Sequence, residues 1–121
     1  MANTFKVITF AAEPASAGTA YKMYTVAGST TTVVLGLILT NIHSSAVTAE
    51  VEWVSDTGSR GGANNVTNGT SFLVKDVTIP AGSSLEVLTG GKVVMETTDY
   101  LNIDCSVADK LSGTLSIMEI T

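Results

Sequence analysis

Asp56-Thr57-Gly58-Ser59 is the one run in this chain of 121 residues that carries the lettering of a catalytic loop. Aspartic proteases hold such a run in a turn, where two aspartates share a proton and activate a water. With a single copy, this chain would have to dimerise to assemble the pair. The surroundings do not support that chemistry. Arg60-Gly61-Gly62-Ala63-Asn64-Asn65 follows where an apolar strand is needed, and Leu111-Ser112-Gly113 is a poor version of the later supporting segment. Asp-Thr-Gly is also ordinary turn chemistry, so the run reads as an exposed turn.

The remaining reactive residue types are sparse. His43 is the only histidine and Cys105 the only cysteine, so neither a multi-histidine metal site nor an intrachain disulfide can form. His43 reads as a polar residue at a strand end. Cys105 is in phase with Leu101, Ile103 and Val107, has no cation beside it in sequence, and reads as a small core residue. Glu50 and Glu52 share one face of a strand, the arrangement of an acid/base pair or a weak calcium site. No Gly-rich calcium loop accompanies them, and a solvated face is the simpler reading. Asn65-Val66-Thr67 and Asn68-Gly69-Thr70 match the glycosylation sequon, as chance produces in a chain so rich in Ser and Thr. There is no phosphate-binding Gly loop, nucleophile elbow or zinc pattern. The expectation is a non-enzymatic protein with no cofactor and no metal.

The elements that must carry these residues are strands. Val47, Ala49, Val51 and Trp53 alternate with Thr48, Glu50 and Glu52, giving one dry face and one wet face. Comparable runs lie at Phe5–Phe10, Ala20–Val26, Thr31–Ile42, Ser71–Ile79, Leu85–Leu88, Val93–Met95, Tyr100–Val107 and Gly113–Ile120, each bounded by turn residues. Val33 to Leu39 is apolar throughout and reads as a strand buried on both faces. The one helical candidate, Val107 to Leu111, makes a single turn. In the last strand the apolar phase changes between Ile117 and Met118, which suggests a bulge or an edge gripped on both sides. Eight or nine short strands predict one all-β domain over residues 1–121, an antiparallel β-sandwich of Ig-like or jelly-roll type.

Composition narrows the partners. Hydrophobic residues make up 45% of the chain and charged residues 14%, a balance that favours a packed core and self-association. A net charge of −5 with six scattered Lys and Arg argues against nucleic acid. The start has no basic and apolar leader, and the longest apolar run falls well short of the roughly 20 residues that cross a bilayer. Synthesis in a cytoplasm and no membrane partner are expected. The apolar terminal segments point to a homo-oligomer, with a trimer among its possible forms. Phe5, Val7, Phe10, Leu115, Ile117, Met118 and Ile120 are the candidate assembly interface. The Gly- and Asn-rich stretch from 55 to 68, with Asp56, Arg60, Asn64, Asn65 and Asn68, is the candidate exposed loop.

Four segments carry a resemblance that spans nearly the whole chain. They are Met1-Ala2-Asn3-Thr4-Phe5-Lys6-Val7, the block from Tyr24 through Thr30-Thr31-Thr32-Val33-Val34-Leu35-Gly36-Leu37, the run from Leu73 to Val87, and Leu115-Ser116-Ile117-Met118-Glu119-Ile120-Thr121. Together they resemble small virion structural proteins of tailed bacteriophages, many of them from cyanophages and other marine phages. The resemblance implies an accessory subunit of the virion, without catalytic residues, that associates with itself and with other virion proteins. Those partners would be the major capsid protein or proteins of the neck or tail. A head decoration or cement role comes first, a neck, collar or tail role next. The alternative is a binding module in which the 55–68 loop reads a host-surface glycan, with Trp53 at its base stacking on a sugar.

Overall fold

A computed structural model describes residues 2–55 and 68–121. The described residues form nine strands and no helix: β1 (Asn3–Glu13), β2 (Tyr21–Thr25), β3 (Thr31–Asn41), β4 (Val47–Val54), β5 (Thr70–Ile79), β6 (Ser84–Glu86), β7 (Val93–Met95), β8 (Tyr100–Cys105) and β9 (Leu111–Ile120). The stretch 107–111 is a turn leading into β9, not a helical one.

Two antiparallel sheets result. One runs β1-β9-β3-β6 with β7 also on β3, and the other runs β2-β8-β4-β5. The pairing is nested. β1 pairs β9, β2 pairs β8, β3 pairs β6 and β7, and β4 pairs β5. A single long hairpin wound around itself gives this order, which is the jelly roll among the sandwich topologies. β6 and β7 are the two halves of one interrupted strand.

The core lies between the sheets. Leu37, Leu39, Leu101, Ile103, Leu111, Leu115 and Ile117 are wholly buried, with Val47, Ala49 and Val51 from the dry side of β4. Cys105 is also buried, as its phase predicts. β3 does not behave as a strand buried on both faces. Its inward residues are Thr32 and Val34, then Leu37, Leu39 and Asn41, and Ile38 is exposed. The change of parity comes from a register slip between Val34 and Gly36, where Leu35 is the extra residue opposite β9. β6 and β7 part at the same place.

The end of the chain is neither an edge nor bulged: β9 runs without interruption against β3 from Leu111 to Ile120, and β1 covers its other side. Its apolar phase changes because Met118 and Ile120 lie on the outward side, while the inward-phase position 119 is a glutamate. A glycine makes the close fit possible. A Cβ at Gly113 would stand 2.3 Å from the Phe10 ring, which lies across that position. Phe10 meets Tyr21 edge to face with centroids 5.4 Å apart.

Candidate interaction face

Directly paired residues of antiparallel strands share a face, so the register fixes what the outer side of the β1-β9-β3 sheet presents. Phe5 pairs Met118, Met118 pairs Val33, and Val33 pairs Val94. This row crosses four strands and is apolar from end to end. Beside it lie Val7, Ser116 and Gly36 on one side and Asn3, Ile120 and Thr31 on the other. The next row is Thr9, Thr114, Ile38 and Glu86, which brings in a carboxylate. Phe5 is 72% exposed, Val7 63%, Val94 55% and Ile38 44%. Burying such side chains is worth about 1.5–3 kcal/mol each, so this face exposes apolar surface whose burial would be favourable.

The outer side of the other sheet is the opposite in character. Glu50 pairs Asp104, and Glu52 lies between Phe72 and Asn102. Lys75 stands 3.8 Å from Glu50 and 3.7 Å from Asp76. Burial pushes the Glu50 carboxyl up, Lys75 pulls it partly back, and Asp76, Glu52 and Asp104 push it up further. An open depression of about 200 Å³ beside Glu50, Asp76 and Asp104 completes this acidic side. Among the described residues no group of His, Cys, Asp and Glu is arranged to hold a metal ion. The Asp104 carboxylate instead accepts from the backbone N–H groups of Gly18 and Cys105.

One polar cluster braces the apolar face from within. Lys6 Nζ lies 2.7 Å from Glu119 Oε1, and Tyr24 Oη donates to Glu119 Oε2 at 2.6 Å. Tyr24 Oη is also 2.7 Å from Thr32 Oγ1. β1, β9 and β3 are thereby tied to β2 of the facing sheet. Lys6 and Tyr24 hold the Glu119 carboxyl below the ordinary carboxylate range. Burial and the hydrogen bond to Glu119 push the Tyr24 phenol up to about 12.

The interface residues named from sequence divide in two. Phe5, Val7, Met118 and Ile120 lie together on the outer face. Phe10, Leu115 and Ile117 do not belong to it. They point into the core, because β9 is a central strand and its odd-numbered residues face inward. Val33 and Ile38 were hidden in Val33–Leu39, the run that reads as buried, and Val94 in the short strand Val93–Met95; their signal was uninterrupted apolar lettering.

Asp56, Arg60, Asn64 and Asn65, together with the Asp-Thr-Gly-Ser run, lie outside the described residues. Asn68 is described, exposed and left-handed at φ 56°. Trp53 is half-buried against the core, and its indole N–H donates to Asp99 Oδ2 at 3.2 Å. His43 sits in the turn after β3, its backbone N–H donating to Asn41 Oδ1 at 2.7 Å. No known family, curated protein or solved structure matches the chain.

Proposed function

We propose that the protein is a non-enzymatic structural subunit that docks through the apolar outer face of its β1-β9-β3 sheet. The observation that carries this reading is the row Phe5–Met118–Val33–Val94, apolar across four strands while the opposite outer face is acidic. A molecule with one sticky side and one wet side suits placement on a larger surface. The resemblance of its segments to small virion proteins of tailed phages supplies the setting, an accessory component of the virion. Jelly rolls recur in viral capsid domains and in lectins, and the setting rests on the resemblance of the segments, not on the fold. A head decoration or cement role stands first and a neck, collar or tail position next. The glycan-binding alternative is weakened at Trp53, whose ring is engaged with the core and with Asp99.

The test is particle association. Val94 is exposed, lies on the face and is remote from the core, so Val94→Lys should leave folding intact and strip the protein from purified particles. Retention of Val94→Lys at wild-type occupancy would remove the face from the account. Absence of the wild-type protein from particles would remove the virion setting.

A further inference from the structure

The sandwich has four sheet edges, formed by β1, by β6 with β7, by β2 and by β5, and they are not equally guarded. β2 is five residues long, carries Lys22 and slips in register between Lys22 and Tyr24. On the far side of β3, β6 and β7 are only three residues each. The β5 edge carries Lys75 and Asp76, with Asp76 left-handed at φ 50°, and its register against β4 slips twice. Short strands, charges and irregularities are the usual devices against edge-to-edge pairing. β1 has them only at its end, where the register slips between Phe10 and Glu13.

Over the preceding residues the edge is straight and open. Ala2 and Thr121 exchange both backbone hydrogen bonds, at 3.1 and 3.0 Å. Alternation then assigns Thr4, Lys6, Ile8 and Phe10 to bonding with β9. The N–H and C=O groups of Asn3, Phe5, Val7 and Thr9 therefore point away from β9, and none has a backbone partner among the described residues. None of these four carries a charge. The one charged side chain among them in sequence, Lys6, is neutralised by Glu119 at 2.7 Å.

We propose that β1 pairs antiparallel with β1 of a second copy, with Val7 on the twofold axis, so that one sheet runs through both molecules. This mode of self-association rests on the reading of the outer face as an assembly surface. An edge without free charge offers nothing to a charged foreign strand, and it matches a strand that is likewise uncharged at alternate positions, as β1 is. Placing the axis at Val7 sets Phe5 beside the second copy's Thr9 and Lys6 beside its Ile8. Placing it at Lys6 would oppose two ammonium groups, which disfavours that register. The two apolar rows then form one continuous surface, doubling the docking area of a single copy.

Sedimentation of the full chain tests this with three variants. Wild type should run at twice the 12.5 kDa monomer mass. Val7→Pro removes an outward N–H and breaks no bond to β9, so it should run as a monomer with an unchanged β-sheet circular dichroism spectrum. Val94→Lys, distant from the edge, should remain a dimer while losing particle binding. Should Val7→Pro fail to fold, Val7→Cys replaces it, and mild oxidation should give a covalent dimer, since the native Cys105 is buried. A monomeric wild type, a dimeric folded Val7→Pro, or no cross-link in Val7→Cys would overturn the edge pairing and leave the docking face standing. Dissociation of the dimer by Val94→Lys alone would move self-association from the edge to the face.

Discussion

Asn41 shows how single residues hold this sandwich in shape. It is wholly buried, and its side-chain amide is fully used. Nδ2 donates to the carbonyls of Ser45 and Ile79, both at 2.9 Å, and Oδ1 accepts from His43. It therefore fixes the β3–β4 turn and fastens it to the end of β5. Asn41→Ala leaves these groups without partners and should cost about 2–4 kcal/mol in urea unfolding. The Lys6–Glu119–Tyr24 cluster gives a second residue-scale expectation. The folded Glu119 value is depressed, so its stabilisation is present above the ordinary value of 4.5 and is lost as pH falls through the lower folded value. The folded Tyr24 value is raised, so its stabilisation is complete below 10.0 and disappears as pH rises through about 12. Melting temperatures across the acid range should therefore fall more steeply for wild type than for Glu119→Gln. Parallel acid limbs would refute the cluster's role.

At the scale of elements, the close seat of Phe10 on Gly113 couples β1 to β9. Gly113→Ala should destabilise by about 1–3 kcal/mol through overpacking, and Phe10→Ala should relieve much of that cost. Additive penalties in the double-mutant cycle would contradict the contact. The same strands show what the sequence could and could not reveal. The Val47–Val54 alternation and the Val93–Met95 run gave their boundaries directly, because side-chain parity and turn residues are local. The identity of the β9 neighbours was not local. An apolar C-terminal segment reads the same whether it is an edge or a centre, so Leu115 and Ile117 were assigned to an interface and lie in the core. The Leu35 bulge was equally silent, since one extra residue in an apolar run leaves no polar mark. It moved Ile38 outward, onto a face that the terminal segments had suggested only in part.

The whole molecule is a two-faced plate, one outer side apolar and the other acidic. Attachment through the apolar side predicts a particular response to salt. Raising ionic strength should leave binding to the particle unchanged or strengthen it, because no exposed ion pair has to form on that face. Binding lost between low and moderate salt would assign attachment to the acidic side. Phe5 and Val7 made the docking side partly legible from sequence, whereas its continuation through Val33 to Val94 emerged only when the register laid the four strands side by side.

A cryo-EM reconstruction of the intact virion, with this chain traced in the map, reads which side of the sandwich is covered. The chain should appear in repeated copies, with Phe5, Met118, Val33 and Val94 covered by a neighbouring protein and the Glu50–Asp104 side in solvent. A chain seated with the acidic side down and the apolar row exposed, or a particle lacking the chain altogether, would contradict this placement.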